Sequence, residues 1–316
     1  MITLADIEAA RRRTAAYVRR TPVLQADPIG ESRVWFKAEF LQRCGVFKTR
    51  GAFNRQLAAR ERDELDPAVG IVTASGGNAG LANAFAAATL RIPATVFVPE
   101  TAPQIKVDRL RGYGACVRQV GAEYAEAYDA AQQYVATTGA LFCHAYDQPE
   151  IAAGAGVIGW EIMEDLPEVD TIVVAVGGGG LYAGVATVAH AHGVRVVAVE
   201  PTSIPTLRAA LDAGTPIDIP VSGVAADSLG AKRIGNEAFA VATAAAPVSA
   251  LVTDTAILDA RDGLWNDYRI PAENGAAAAY AALLAGIYRP AAGERVAVIV
   301  CGANTDPRSL GSSTLT

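Results

Sequence analysis

Lysine stands at only four positions, Lys37, Lys48, Lys106 and Lys232, in a chain with 27 lysines and arginines. Arginine serves most surface roles, but its guanidinium stays protonated and cannot form an imine. A lysine kept in such a chain is a candidate for Schiff-base chemistry. Lys48 has the setting for it. It follows an aromatic ring in Val46-Phe47-Lys48-Thr49-Arg50-Gly51-Ala52 and opens a predicted helix. Burial and the positive end of a helix both lower a lysine pKa, which favours the neutral, nucleophilic amine. A lysine that snorkels to the surface would carry the same local sequence.

Two glycine-rich segments could hold anions. Gly177-Gly178-Gly179-Gly180-Leu181 follows an apolar run and precedes a helical one. Four glycines let backbone N–H groups converge on a phosphate at a helix N-terminus, and four exceed what a tight turn needs. The same loop satisfies a dinucleotide fingerprint, Gly178-x-Gly180-x-x-Ala183 with Glu200 ending the next strand, so a nicotinamide dehydrogenase is the rival reading. In Thr73-Ala74-Ser75-Gly76-Gly77-Asn78-Ala79-Gly80, Ser75 and Asn78 flank a glycine pair. They could cap a helix or donate to a ligand's carboxylate or phenolic oxygen.

These loops need elements to present them. Strand-length apolar runs alternate with helix-length segments along the chain, with Thr3-Leu4-Ala5-Asp6 as a capping box for the first helix. Strands are predicted over 34–38, 70–73, 94–98, 115–120, 140–143, 171–176, 194–199 and 295–300. Helices are predicted after Lys48 and Asn78 and over 104–111, 123–137, 150–165, 181–192, 204–213, 228–242, 255–267 and 274–287. Such alternation implies an α/β fold with mostly parallel sheets flanked by helices, and ligands beyond the carboxyl ends of the strands. No linker separates domains, so two domains would be interleaved.

Taken together, the lysine, asparagine and tetraglycine loops resemble the fold-type II pyridoxal-phosphate enzymes (tryptophan synthase beta-like), in the serine/threonine dehydratase and serine racemase branch. The resemblance extends to Pro99-Glu100, Tyr113-Gly114-Ala115, Tyr146-Asp147, Val199-Glu200-Pro201 and Cys301-Gly302-Ala303-Asn304, in the family's order over almost the whole chain. It implies a large cofactor-binding domain from residues 1–67 and 148–316, with a small mobile domain, 68–147, inserted in it. Lys48 would hold pyridoxal phosphate as a Schiff base and act as the catalytic base. Phe47 would pack at the cofactor ring and Asn78 would bond its hydroxyl. Gly177, Gly178, Gly179, Gly180 and Leu181 would hold the phosphate, and Cys301 would face the pyridine nitrogen as a neutral thiol. Ser75, Gly76 and Asn78 would meet the substrate. The implied reaction is β-elimination from a hydroxy-amino acid such as L-threonine or L-serine to a 2-oxo acid and ammonia, with serine racemase or 3-hydroxyaspartate dehydratase as the family alternatives. In that family Glu200 has no ribose to bind.

Departures bear on the substrate. Val46 replaces the usual serine before Phe47, and Ala79 a common histidine after the asparagine. Gly76 stands where racemases carry a serine that reprotonates the opposite face, so one-base elimination is expected over racemisation. Glu273, in Ala272-Glu273-Asn274-Gly275, matches a family glutamate beneath the cofactor. The metal-binding glutamate of racemase-like members has no clear counterpart near Ser222–Asp227, so no metal is expected. The chain stops at Thr316, leaving no room for a regulatory domain, so control by isoleucine is not expected.

Composition excludes other classes. Hydrophobic residues are 51% and charged ones 19%, and the formal net charge is −6, without a basic run for nucleic acid or anionic membranes. Cysteines at 44, 116, 143 and 301 have no paired spacing, and His144, His190 and His192 do not cluster with them, which argues against zinc and a disulfide framework. The opening MITLADIEAARRR lacks a signal peptide's apolar core. The uncharged stretch 171–190 is long enough to span a membrane, but its glycines suit a strand–turn–helix better. The expectation is a cytoplasmic homodimer of amino-acid catabolism acting on a small-molecule amino acid.

Overall fold

A computed structural model describes residues 1–311. In chain order the elements are α1 (Leu4–Thr14), β1 (Val23–Gln25), β2 (Arg33–Lys37), α2 (Lys48–Glu61), β3 (Ile71–Ala74), α3 (Asn78–Leu90), β4 (Ala94–Val98), α4 (Gln104–Gly112), β5 (Cys116–Gln119), α5 (Tyr124–Thr138) and β6 (Leu141–Phe142). There follow α6 (Pro149–Asp165), β7 (Thr171–Ala175), α7 (Gly180–Ala191), β8 (Arg195–Pro201), α8 (Thr206–Ala213), α9 (Ala226–Leu229), α10 (Asn236–Ala245), β9 (Val248–Val252), α11 (Asp254–Tyr268), α12 (Asn274–Leu284) and β10 (Arg295–Ile299). The expected capping box opens α1: Thr3 accepts from the Asp6 N–H while Asp6 accepts from the Thr3 N–H.

Two sheets form. One has six strands in the order β1-β2-β10-β7-β8-β9, and the other four in the order β5-β4-β3-β6. All pairings are parallel except β1 with β2. The four-stranded sheet comes entirely from residues 71–142, and the six-stranded one from residues on either side of that segment. Every residue of β3, β4 and β7 is buried, as strands covered on both faces must be. Each fully buried Val or Ile there contributes about 1.5–3 kcal/mol. Both α7 and α12 pack on β7 and β8. Small residues bring helices close: a Cβ on Gly184 of α7 would stand 2.3 Å from the Ala152 carbonyl of α6.

Three expectations are corrected. The predicted helix over 228–242 is two helices, α9 and α10, parted at Gly230–Gly235, where a Cβ on Gly230 would lie 1.9 Å from the Ala226 carbonyl. Two strands were not expected. β1 has three residues at one sheet edge, and β9, at the opposite edge, begins exposed and then alternates between half-buried and buried positions. Neither carries the continuous apolar run that marks the central strands.

Candidate active site

Loops after β3, β7 and β10, and the segment after β2, meet at the carboxyl ends of the two sheets. They surround a cleft of about 450 Å³ lined by Phe47, Lys48, Asn78, Tyr146, Ala175, Gly177 through Leu181, Ser228, Leu229, Glu273, Gly275 and Cys301.

The tetraglycine segment turns from β7 into α7. Glycine is required at each position, since a Cβ would meet the backbone of Leu229 at 2.9 Å from Gly177, the Tyr146 ring at 2.3 Å from Gly178, Ala238 at 2.3 Å from Gly179, and the Tyr146 carbonyl at 2.7 Å from Gly180. Gly179 also has φ +89°, a left-handed conformation. Among the described residues, the N–H groups of Gly177, Gly178 and Gly179 donate to no protein acceptor. With the first amides of the twelve-residue α7 they make a set of free donors at a positive helix end. The carbonyl side is held, because Thr206 Oγ1 donates to the Gly177 carbonyl at 2.6 Å.

Glu200 decides against the dinucleotide reading. It is fully buried, and its carboxylate accepts from the Leu207 and Arg208 N–H groups at 2.6 and 2.9 Å, capping α8. Burial pushes its pKa up to about 7 against those hydrogen bonds. A carboxylate committed to a helix N-terminus inside the protein cannot reach a ribose.

Lys48 is the first residue of α2. The Phe47 N–H donates to the Cys301 carbonyl at 3.0 Å, and Val46 bridges Gly302, so the lysine and the thiol after β10 are brought to one cleft by backbone pairing. Lys48 Nζ donates to the Ala145 carbonyl at 3.1 Å and lies 5.1 Å from the centre of the Phe47 ring. Burial holds its pKa below that of a free lysine, with the nearby Cys301 and Glu273 opposing the shift. Burial likewise raises the pKa of Cys301, 4% exposed, which keeps the thiol neutral.

Behind Lys48 the first turn of α2 is anchored by charge. Arg50 is fully buried and donates to Glu39 at 2.8 and 2.9 Å and to Glu161 at 2.8 and 2.9 Å. Lys37, also fully buried, pairs with Glu161 at 2.7 Å. Burial disfavours the Arg50 charge, and the two carboxylates outweigh it. Sequence reasoning did not single out this network, because Lys37, Glu39 and Glu161 carry no spacing signal.

Asn78 opens α3 and faces Glu273, the residue before α12. Its Nδ2 donates to both Glu273 oxygens, at 2.8 and 2.9 Å, while its Oδ1 accepts from Asn304 at 2.7 Å. Burial lifts the Glu273 pKa to about 7; the Asn78 hydrogen bonds and Lys48 oppose that rise, and Asp227 adds to it. Ser75 and Gly76 lie in the loop before Asn78 but not in the cleft wall; the Ser75 hydroxyl accepts from the Gly77 N–H at 3.3 Å. Tyr146, Ser228, Leu229 and Gly275 also line the cleft; Tyr146 and Gly275 lie in segments that resemble the family, whereas Ser228 and Leu229 carry no sequence signal.

Free amide donors at a helix end, a half-buried lysine whose pKa is lowered and a buried neutral thiol fit a phosphate-bearing aldehyde cofactor with a pyridine ring. Fold and site together define a pyridoxal-phosphate enzyme of the parallel α/β kind.

The comparisons agree. A family model described as "Pyridoxal-phosphate dependent enzyme" matches residues 15–302. An L-threonine ammonia-lyase of Geobacter sulfurreducens is 37% identical over 316 residues, covering 98% of this chain and 77% of that protein. A phenylserine dehydratase of Ralstonia pickettii is 34% identical, covering 96% and 94%. The solved structure of maize serine racemase superposes with a TM-score of 0.91 at 31% identity, covering 97% of this chain and 95% of that one. The chain belongs to the pyridoxal-phosphate dependent enzyme family, in its serine/threonine dehydratase branch, and is an ammonia-lyase that uses pyridoxal phosphate.

Proposed function

We propose that this enzyme removes water from a β-hydroxy-α-amino acid, L-threonine or L-serine, and yields a 2-oxo acid and ammonia. The relatives named above support that substrate class. The observation that carries the reading is the placing of Lys48 in one cleft with the free amide donors of the tetraglycine loop and the Cys301 thiol, where desolvation lowers the pKa of its amine. Bound pyridoxal phosphate supplies an electron-accepting ring that acidifies the Cα–H bond of an amino acid. Lys48 would hold the cofactor, and the N–H groups of Gly177 through Leu181 its phosphate. With substrate bound, the free Lys48 amine would take the Cα proton at Nζ. Cys301, neutral, would put no negative charge on a pyridine nitrogen held next to it, which suits rapid loss of a β-substituent. The enamine set free becomes the oxo acid and ammonia on hydrolysis.

Racemisation is the second reading, favoured by the likeness to maize serine racemase. It needs a proton donor opposite Lys48, and Gly76 supplies none. The segment 68–147, which carries the four-stranded sheet, is proposed to be a small unit that moves against the remainder, with Ser75, Gly76 and Asn78 meeting substrate on its inner edge. We further place the enzyme in the cytoplasm as a homodimer of amino-acid catabolism, without a structural metal. Among the described residues, no helix is long and apolar enough to cross a membrane. A panel of L-threonine, L-serine, 3-hydroxyaspartate, phenylserine and 2,3-diaminopropionate, read by 2-oxo acid release, tests the assignment; no oxo acid from any of the four hydroxy-amino acids overturns it.

A further inference from the structure

A line of hydrogen bonds runs from the surface to the floor of the cleft. Arg109, exposed on α4, donates from Nη2 to Asn304 Oδ1 at 2.7 Å. Asn304 Nδ2 donates to Asn78 Oδ1 at 2.7 Å and to the Cys44 carbonyl at 3.0 Å. Asn78 Nδ2 in turn donates to both oxygens of Glu273. The line crosses between the two halves of the fold at every step: α4 and α3 belong to the segment of the four-stranded sheet, whereas Asn304 and Glu273 follow and flank elements of the six-stranded one.

Its direction is set by its ends. An amide can be turned over, exchanging donor and acceptor, but a guanidinium only donates, and Glu273 in its ionised form only accepts. Turning Asn78 alone would set its oxygen against the Glu273 carboxylate and its nitrogen against that of Asn304. Turning both would set the Asn304 nitrogen against Arg109. One orientation alone satisfies all four residues.

We infer that Arg109 is a positioning residue for the elimination: through Asn304 it holds the Asn78 amide with its N–H groups toward Glu273 and thereby sets the cleft floor. The inference rests on the ammonia-lyase reading for its kinetic consequence and on the geometry alone for its structural one. Nothing in the local sequence marks Arg109, which lies 31 residues beyond Asn78 on a different helix.

The test uses holoenzyme in three forms: the parent, Arg109→Ala and Arg109→Lys. Because Arg109 is exposed, neither substitution removes core packing. Arg109→Ala should lower kcat about three- to tenfold, the scale of one lost hydrogen bond to a neutral group, with KM little changed. Arg109→Lys, which keeps a donor, should recover most of it. In enzyme labelled with ¹⁵N at asparagine, the side-chain amide signals missing from an Asn78→Asp variant identify Asn78. Those signals should move in Arg109→Ala and stay near the parent's in Arg109→Lys. Unmoved Asn78 signals in Arg109→Ala overturn the inference whether or not kcat falls. Moved signals with parental kcat overturn the kinetic role. If none of the amino acids is turned over by the parent, the functional reading has failed, and the amide signals still decide the relay.

Discussion

Lys48 carries the account at the scale of single residues, and its assignment is exposed to direct mapping. Reducing the holoenzyme with borohydride should fix a pyridoxyl group on the Lys48 peptide, and Lys48→Arg should keep fold and charge while abolishing elimination. An adduct on Lys37, Lys106 or Lys232 would be the wrong result; Lys37 in particular is fully enclosed by its ion pair with Glu161. Glu273 offers a second residue-scale prediction. A carboxyl group with a folded pKa near 7 and an unfolded one near 4.3 binds more protons folded than unfolded across that window. Stability is therefore lost as pH rises from about 4.3 through about 7. Glu273→Gln removes this titration while an amide oxygen still accepts from Asn78. The apoenzyme's melting temperature should fall less between pH 5 and pH 8 in that variant than in the parent, and equal pH dependence would refute the shift. Lys48 was legible in sequence because lysine is scarce and an aromatic precedes it. Glu273 was visible only through family likeness, since burial is a property of the packed molecule.

At the scale of elements, the central parallel strands could be read from their apolar runs, and the loops that follow them hold the site, as the topology requires. The edge strands β1 and β9 were missed because a strand covered on one side has no such run. The break between α9 and α10 was missed because its residues are helix-compatible except for two glycines, and a single glycine is weak evidence alone. Nor could any local pattern show that α2 is pinned by Arg50, Glu39 and Glu161, which lie on three separate segments. Removing Arg50 leaves Glu39 enclosed without a counter-charge and Glu161 with Lys37 alone, and breaking a buried pair in this way costs about 3–5 kcal/mol. Arg50→Met should therefore lower the apoenzyme's unfolding free energy by about that amount in a denaturant titration. A change below about 1 kcal/mol would show that Glu39 finds another partner or protonates cheaply.

For the molecule as a whole, the two sheets are the context in which these residues become an enzyme. Lys48, Cys301 and the tetraglycine loop belong to the parts around the six-stranded sheet, while Asn78 reaches across from the four-stranded one. On the proposed plan Lys48 would act as base on one face of the substrate with no acid opposite it, because glycine stands at position 76. One-base elimination by Lys48 is decided by product analysis with L-serine. Chiral chromatography alongside a 2-oxo acid assay should find pyruvate in large excess over D-serine throughout the time course. D-serine appearing as fast as pyruvate would contradict one-base elimination and make the protein a racemase.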